Sequence, residues 1–280
     1  MINDPRGCID YDESGTGPTV VLVPGSCSTG AAWRPVIAAL NGRFRCVTTS
    51  LLGYGATAER RTESDPSIHH EAEVLEAVIR RAGGAVHLVG HSFGGLAALA
   101  VALRREVHLA SLMIIEAPAA ELLQERGEPE HYRAFRDMTD AYLADFAGGN
   151  AVAVAPMIDF YGGAGTFASW PRRVRDHAVE TTPVNIRDWA SAYGFALSAA
   201  TLATLALPVC VIRGSASHAA VQRANTLLAN CLSGAALVTI DGASHFMIAT
   251  HADAVARLIA GHIDGVESGQ RGHAVRSVAP

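Results

Sequence analysis

The segment Val86-His87-Leu88-Val89-Gly90-His91-Ser92-Phe93-Gly94-Gly95-Leu96-Ala97-Ala98-Leu99 restricts the fold of this chain more than any other. A β-branched, apolar run enters it, a Gly-x-Ser-x-Gly pentapeptide sits at its middle, and an alanine-rich helical pattern without proline leaves it. That order predicts a buried strand, a sharp turn and a helix, with Ser92 at the turn. Such a turn forces its middle residue into a rare backbone conformation, and glycines on either side let strand and helix approach. The hydroxyl is thereby pushed towards solvent, where a substrate can meet it. The pentapeptide alone arises by chance in roughly one chain in seven of this size, so the weight rests on the strand and helix around it.

The rest of the chain alternates in the same way. Residues 7–13 and 19–23 read as strands joined by the turn cluster Ser14-Gly15-Thr16-Gly17-Pro18, residues 31–40 as a helix and 44–49 as a strand. A helix over 67–82 starts after Asp65-Pro66 and ends at Gly83-Gly84, and 109–115 is again strand. After residue 200 the pattern resumes with a strand over 208–214, a helix over 219–232, a strand over 236–240 and a helix over 248–262. The strand runs are apolar throughout rather than alternating, which predicts an α/β fold: a mostly parallel, doubly wound sheet of about eight strands with helices on both faces. Between residues 119 and 200 the rhythm stops. Helical patterns over 129–147 and 185–200, Trp170, Trp189 and the pairs Gly148-Gly149 and Gly162-Gly163 mark an inserted helical lid. Residues 1–118 and 201–264 then form the core, and the polar, glycine-bearing residues 265–280 are expected to be a mobile tail.

With 280 residues, 49% hydrophobic and 18% charged, the chain can bury a large core. A net charge of −5 and scattered basic residues leave no stripe for a phosphate backbone, so a small molecule is the expected partner rather than nucleic acid. The start Met1-Ile2-Asn3-Asp4-Pro5-Arg6 has no basic segment leading into an apolar one, and no apolar run approaches the roughly 20 residues that span a bilayer. No membrane span and a cytoplasmic location are therefore expected. Cys8, Cys27, Cys46, Cys210 and Cys231 are odd in number and far apart, which favours reduced thiols over a disulfide frame. No Cys-x-x-Cys pair occurs, and neither metal nor cofactor is expected.

A serine hydroxyl is a weak nucleophile near neutrality and needs a base, for which imidazole has the suitable pKa. His245 stands out among twelve histidines because it follows Ile240-Asp241-Gly242-Ala243-Ser244, the loop after the last strand. Parallel strands deliver their C-terminal ends to one edge of the sheet, where sites form. His91 is expected to point away from the turn, and His69, His70, His218, His251 and His262 to lie on solvated helix faces.

Val23-Pro24-Gly25-Ser26, Leu52-Gly53-Tyr54-Gly55, Gly90-His91-Ser92-Phe93-Gly94-Gly95 and Gly242-Ala243-Ser244-His245-Phe246, each following a predicted strand, make the chain resemble the α/β-hydrolase fold superfamily over residues 7–264. The resemblance implies Ser92 as nucleophile and His245 as base. Two departures stand out. Pro24-Gly25 replaces the His-Gly that most members carry, whose histidine supports the loop. Arg213-Gly214-Ser215-Ala216-Ser217-His218 has no carboxylate where the family places its aspartate.

A third group must hold the imidazole in one tautomer and stabilise its cation. Glu116 ends the strand Leu112-Met113-Ile114-Ile115 at the same sheet edge, and some superfamily members, a group of haloalkane dehalogenases among them, carry their acid there. Asp241 is the alternative acid, but four residues before His245 it is better placed to brace the loop. The resemblance also implies backbone N–H donors to an oxyanion from Phe93 and Ser26, with Cys27 as the alternative to Ser26; the Cys27 thiol itself is expected to pack rather than react. The lid would supply an apolar pocket whose candidate walls are Cys27, Met138, Trp189, Tyr193 and Phe195.

Serine at the nucleophile position argues against dehalogenase or epoxide hydrolase chemistry, which in this fold relies on aspartate there. The expected reaction is hydrolysis of a small carboxylic ester, lactone or thioester through an acyl-enzyme. Same-fold carbon–carbon hydrolysis or lyase chemistry, and a non-catalytic receptor using the lid pocket, are the alternatives.

Overall fold

Side chains that alternate between two apolar layers explain why the strands are hydrophobic along their whole length. In the computed structural model, which describes residues 1–269, the amino-terminal half contains β1 (Ile2–Asp4), β2 (Gly7–Ile9), β3 (Asp12–Ser14), β4 (Thr19–Val23), α1 (Arg34–Ala39), β5 (Arg45–Thr48), α2 (His69–Ala82), β6 (Val86–His91), α3 (Phe93–Arg104) and β7 (Leu109–Ile115). An insertion of helices follows: α4 (Ala120–Glu125), α5 (Pro129–Ala147), α6 (Val154–Gly162), α7 (Thr166–Ser169), α8 (Arg172–Glu180), α9 (Thr182–Gly194) and α10 (Ala199–Leu202). The chain then returns through β8 (Val209–Gly214), α11 (Ala219–Cys231), β9 (Ala236–Ile240), α12 (Met247–Thr250) and α13 (Ala252–Glu267). None of these helices is long and apolar enough to cross a membrane.

Seven strands form one sheet in the order β3-β5-β4-β6-β7-β8-β9, and only β3 runs antiparallel, against β5. Val21, Leu88, Ile114 and Val211 face the layer of α2, α3 and α11; Leu22, Val89, Met113 and Ile212 face the layer of α1 and α13. The period of two along each strand divides one apolar run between two cores.

Four expectations need correction. The sheet has seven strands rather than about eight, because β1 and β2 pair with each other as a separate ribbon. The single strand expected over 7–13 is broken at Asp10, whose N–H donates to Thr57 Oγ1 (3.0 Å) and whose carbonyl accepts from Thr49 Oγ1 (2.7 Å). The helix expected over 185–200 begins earlier, at Thr182-Pro183, and ends at Gly194. Phe195 is extended, and Ser198 then caps α10 by accepting from Thr201 N–H at 3.1 Å. Helix α13 runs to Glu267, past the expected start of the tail, and residues 270–280 lie outside the described residues.

Candidate active site

The sharp turn after β6 has the form its glycines require. Ser92 has φ 55° and ψ −129°, and its N–H donates to the Ile115 carbonyl at 2.8 Å. A methyl group on Gly90 would lie 2.4 Å from the Gly94 carbonyl oxygen, and one on Gly94 would lie 2.2 Å from that of Pro24. Backbone cannot yield at such distances, so any side chain at either position would push β6, β4 and α3 apart.

The C-terminal ends of β6, β7, β8 and β9 lie along one edge, and there the structure brings Ser92, His245 and Glu116 together. The Ser92 hydroxyl donates to His245 Nε2 at 2.9 Å, and His245 Nδ1–H donates to Glu116 Oε2 at 2.8 Å. An ionised carboxylate can only accept, so this pairing fixes the proton on Nδ1 and leaves Nε2 facing the serine. The other Glu116 oxygen, Oε1, accepts from Gly214 N–H at 2.7 Å. Glu116 is fully buried and adopts φ 49°, a conformation rare outside glycine, which its own N–H steadies by donating to the Ile212 carbonyl at 3.0 Å. Glycine at the end of β8 thus supplies an N–H to the carboxylate that β7 delivers. Asp241 is elsewhere: its Oδ1 accepts from Ser215 Oγ at 2.9 Å, and that same Oγ accepts from Gly242 N–H at 2.8 Å, a brace within the exposed loop.

His91 was expected to point away, and the structure gives it a definite partner instead. Its Nε2–H donates to the His245 carbonyl at 2.9 Å, and the two rings lie 4.8 Å apart. Burial and then the neighbouring His245 push His91 down to about 3, so its ring stays neutral. Tyr161 covers His245 from the insertion, with ring centroids 4.2 Å apart. His87, four residues before His91, turns to Ser111 (2.8 Å) and Glu267 (3.1 Å), so the two do not converge. His70, His218, His251 and His262 are half-buried rather than solvated. His218 caps α11, accepting from Ala220 N–H at 3.2 Å, and stacks on Phe160, while burial takes His262 to about 4.

The loop after β4 carries Ser26 and Cys27, the latter at φ 56°. Ser26 Oγ–H donates to Asp188 Oδ2 at 2.6 Å, Tyr54 O–H donates to the same oxygen at 2.6 Å, and Arg61 holds Asp188 Oδ1 at 2.7 Å. A carboxylate from α9 therefore steadies the loop in which Pro24-Gly25 stands instead of His-Gly. Burial raises Asp188 above the usual carboxylate range against the pull of Arg61, and burial takes Glu71, 3.5 Å from Arg61, up to about 8. Burial also takes the Cys27 thiol up to about 12, leaving it protonated near neutrality. Among the described residues the amides of Ser26 and Phe93 donate to no protein acceptor, and both residues line the cavity beside Ser92.

That cavity takes in about 450 Å³ of free space when the open solvent at its mouth is counted. Of the five expected walls, Cys27 and Trp189 line it, whereas Met138, Tyr193 and Phe195 do not. Asn185, Asp188, Trp189 and Ala192, at i, i+3, i+4 and i+7 of α9, face the cavity, while Tyr193, one turn past Trp189 and stacked on it at 5.6 Å, is held towards α5. Tyr193 instead bonds Thr139 through its hydroxyl at 2.9 Å and lies under Arg136; Phe195 follows the end of α9, and Met138 packs into the core from α5. The remaining walls come mainly from α6, with Met157, Ile158 and Tyr161, and from Phe246. The sequence signal for Asn185 and Asp188 is only their helical spacing from Trp189, because polar residues on an amphipathic helix ordinarily mark its solvated face.

A family model described as "Alpha/beta hydrolase family" matches residues 20–258. Over 101 residues the chain is 36% identical to haloalkane dehalogenase 2 of Mycobacterium bovis, covering 36% of this chain and 35% of that protein. It is 33% identical over 139 residues to the pimeloyl-[acyl-carrier protein] methyl ester esterase of Vibrio cholerae, covering 49% of this chain and 51% of the esterase. The chain thus spans about a third to a half of these relatives. Among solved structures, an alpha/beta hydrolase from Sphaerobacter thermophilus superposes with a TM-score of 0.72 at 22% identity, covering 91% of this chain and 96% of that one.

Proposed function

The chain belongs to the alpha/beta hydrolase family, and from that premise we propose that it is a serine hydrolase cleaving a small carboxylic ester, lactone or thioester. The observation that carries this reading is the unbroken hydrogen-bonded line from Ser92 through His245 to Glu116, ending at an apolar cavity. In the proposed reaction His245 Nε2 takes the Ser92 proton as Oγ bonds to the substrate carbonyl carbon. The charge that develops on the carbonyl oxygen is met by the N–H groups of Phe93 and Ser26, fixed before reaction. The tetrahedral species collapses, His245 passes its proton to the leaving oxygen or sulfur, and the acyl group stays on Ser92. Water then attacks the acyl carbon, its proton going to His245 and on to Ser92, which releases the acid. Glu116 holds the imidazole and stabilises its cation throughout, and helices α4 to α10 serve as the lid that excludes bulk water.

The partial likeness to a dehalogenase does not carry that activity here, since its chemistry in this fold uses a carboxylate nucleophile and this chain offers a hydroxyl. The likeness to a methyl ester esterase agrees with ester cleavage. A fluorophosphonate probe tests the reading: it should label the protein at Ser92 and not the Ser92→Ala variant. A protein that binds small esters yet stays unlabelled would be a receptor and would overturn the enzyme reading.

A further inference from the structure

Among the described residues nine buried side-chain N and O atoms lack a hydrogen-bond partner, His91 Nδ1, Tyr142 Oη, Ser217 Oγ and Asn185 Oδ1 among them. Of their residues, only Asn185 lines the cavity that holds Ser92. It is 2% exposed, on the face of α9 that looks into the cavity. Folding leaves a buried amide oxygen unmatched only at a cost, because water must be stripped from it with nothing given in return. Its neighbour one turn on does not share this state: Asp188 accepts from Ser26, Tyr54 and Arg61. The carboxylate is therefore neutralised, and a cationic ligand would find no free charge there. Apart from Asp188, the other walls that α6 and α9 give the cavity are apolar or aromatic: Met157, Ile158, Tyr161, Trp189 and Ala192.

We propose that Asn185 is a specificity residue: its carboxamide turns about its terminal bond to present the unmatched oxygen to an O–H or N–H donor on an otherwise apolar, uncharged substrate. This rests on the reading of the cavity as the substrate site of Ser92, and it narrows the substrate class to esters, lactones or thioesters bearing a hydroxyl or secondary amide away from the reacting carbonyl. An analogue without the donor leaves the amide oxygen unmatched and gains only apolar contact. A polar partner in a dry pocket discriminates against the missing donor far better than a methylene pocket discriminates size.

The test is equilibrium binding to the Ser92→Ala protein, which needs no turnover. The probes are two series of alkyl esters, each member paired with a copy carrying one hydroxyl, moved carbon by carbon along the acyl chain in one series and along the alcohol in the other. At least one hydroxylated member should bind about tenfold to a hundredfold more tightly than its plain partner. Adding Asn185→Leu should erase that preference while plain esters bind as well or better. Equal affinity within every pair, or an equal loss for both members in Asn185→Leu, overturns the proposal. The thermal midpoint gives a second readout: Asn185→Leu in the ligand-free protein should hold or raise it, since an unmatched amide is replaced by an apolar group of similar size. A lowered midpoint together with unchanged ligand preference assigns Asn185 a purely structural part. Failure of Ser92 to label with fluorophosphonate, with the hydroxyl preference intact, would remove the hydrolase reading and leave the subsite standing.

Discussion

Two buried carboxylates flank the cavity, and their surroundings differ in kind. Glu116, at the end of a central strand, meets a titratable imidazole and one backbone N–H. Asp188, on a helix of the insertion, meets a guanidinium and two hydroxyls. Arg61 keeps its charge at any working pH, so the guanidinium facing Asp188 does not switch and its use is mechanical: the group fixes Tyr54 and the Ser26 loop against α9. An imidazole can gain and lose a proton, so in the proposed reaction the pairing at Glu116 strengthens when the ring becomes cationic. Burial alone does not distinguish the two; the partner's ability to change charge does.

The sharpest way to break this contrast is substitution of each carboxylate by its amide. Glu116→Gln should lower kcat for a simple ester by about 10³- to 10⁴-fold with the fold intact, because the amide no longer selects the Nδ1–H tautomer or stabilises the cation. Asp241→Asn, which touches only its own loop, should stay within about threefold of the parent. The reverse ranking in steady-state assays would reject Glu116 as the acid.

Asp188→Asn should show the opposite profile. Loss of the charge facing Arg61 should reduce unfolding free energy by about 3 kcal/mol in urea titrations. kcat/KM should fall only about tenfold, through a looser Ser26 loop. A catalytic loss as large as that of Glu116→Gln, without loss of stability, would erase the distinction between the two carboxylates.

The smallest expected effect concerns His91, which joins the strand edge to His245 through its carbonyl. Its folded-state pKa of about 3 lies below the ordinary 6.5, so the unfolded chain binds a proton more readily and stability falls as pH drops from about 6.5 towards 3. Between pH 7 and pH 5 this one group should account for about 2 kcal/mol of lost stability. His91→Gln keeps an N–H donor but not the titration, and denaturant melts across that range should show a shallower loss. An unchanged slope would show that His91 is not the residue that senses acid.

The strand, turn and helix around Ser92 were legible because glycine spacing and apolar runs are local signals. The placement of His245 after the last strand was legible for a related reason: a parallel sheet sends its strand ends to one edge whatever the loops do. Glu116 could be nominated because it ends a neighbouring strand. Phase was harder to read. The helix expected over 185–200 includes Trp189, but the face it turns to the cavity is set by how α9 packs on α3 and α4, and that packing turns Asn185 and Asp188 inward while Tyr193 bonds Thr139. Tyr161, which covers His245, lay outside the expected helices.

By itself, then, the sequence determined the parallel sheet, the elbow that bears Ser92 and the strand ends that carry Glu116 and His245, since all of these follow from short-range patterns repeated along the chain. Only the tertiary structure decided that Glu116 Oε2 meets His245 Nδ1 at 2.8 Å, that Asp188 reaches 162 residues back to brace Ser26, and that Asn185 faces the cavity unmatched. These contacts join segments far apart in the chain, and their geometry is set by how the insertion packs onto the sheet, which no local pattern encodes.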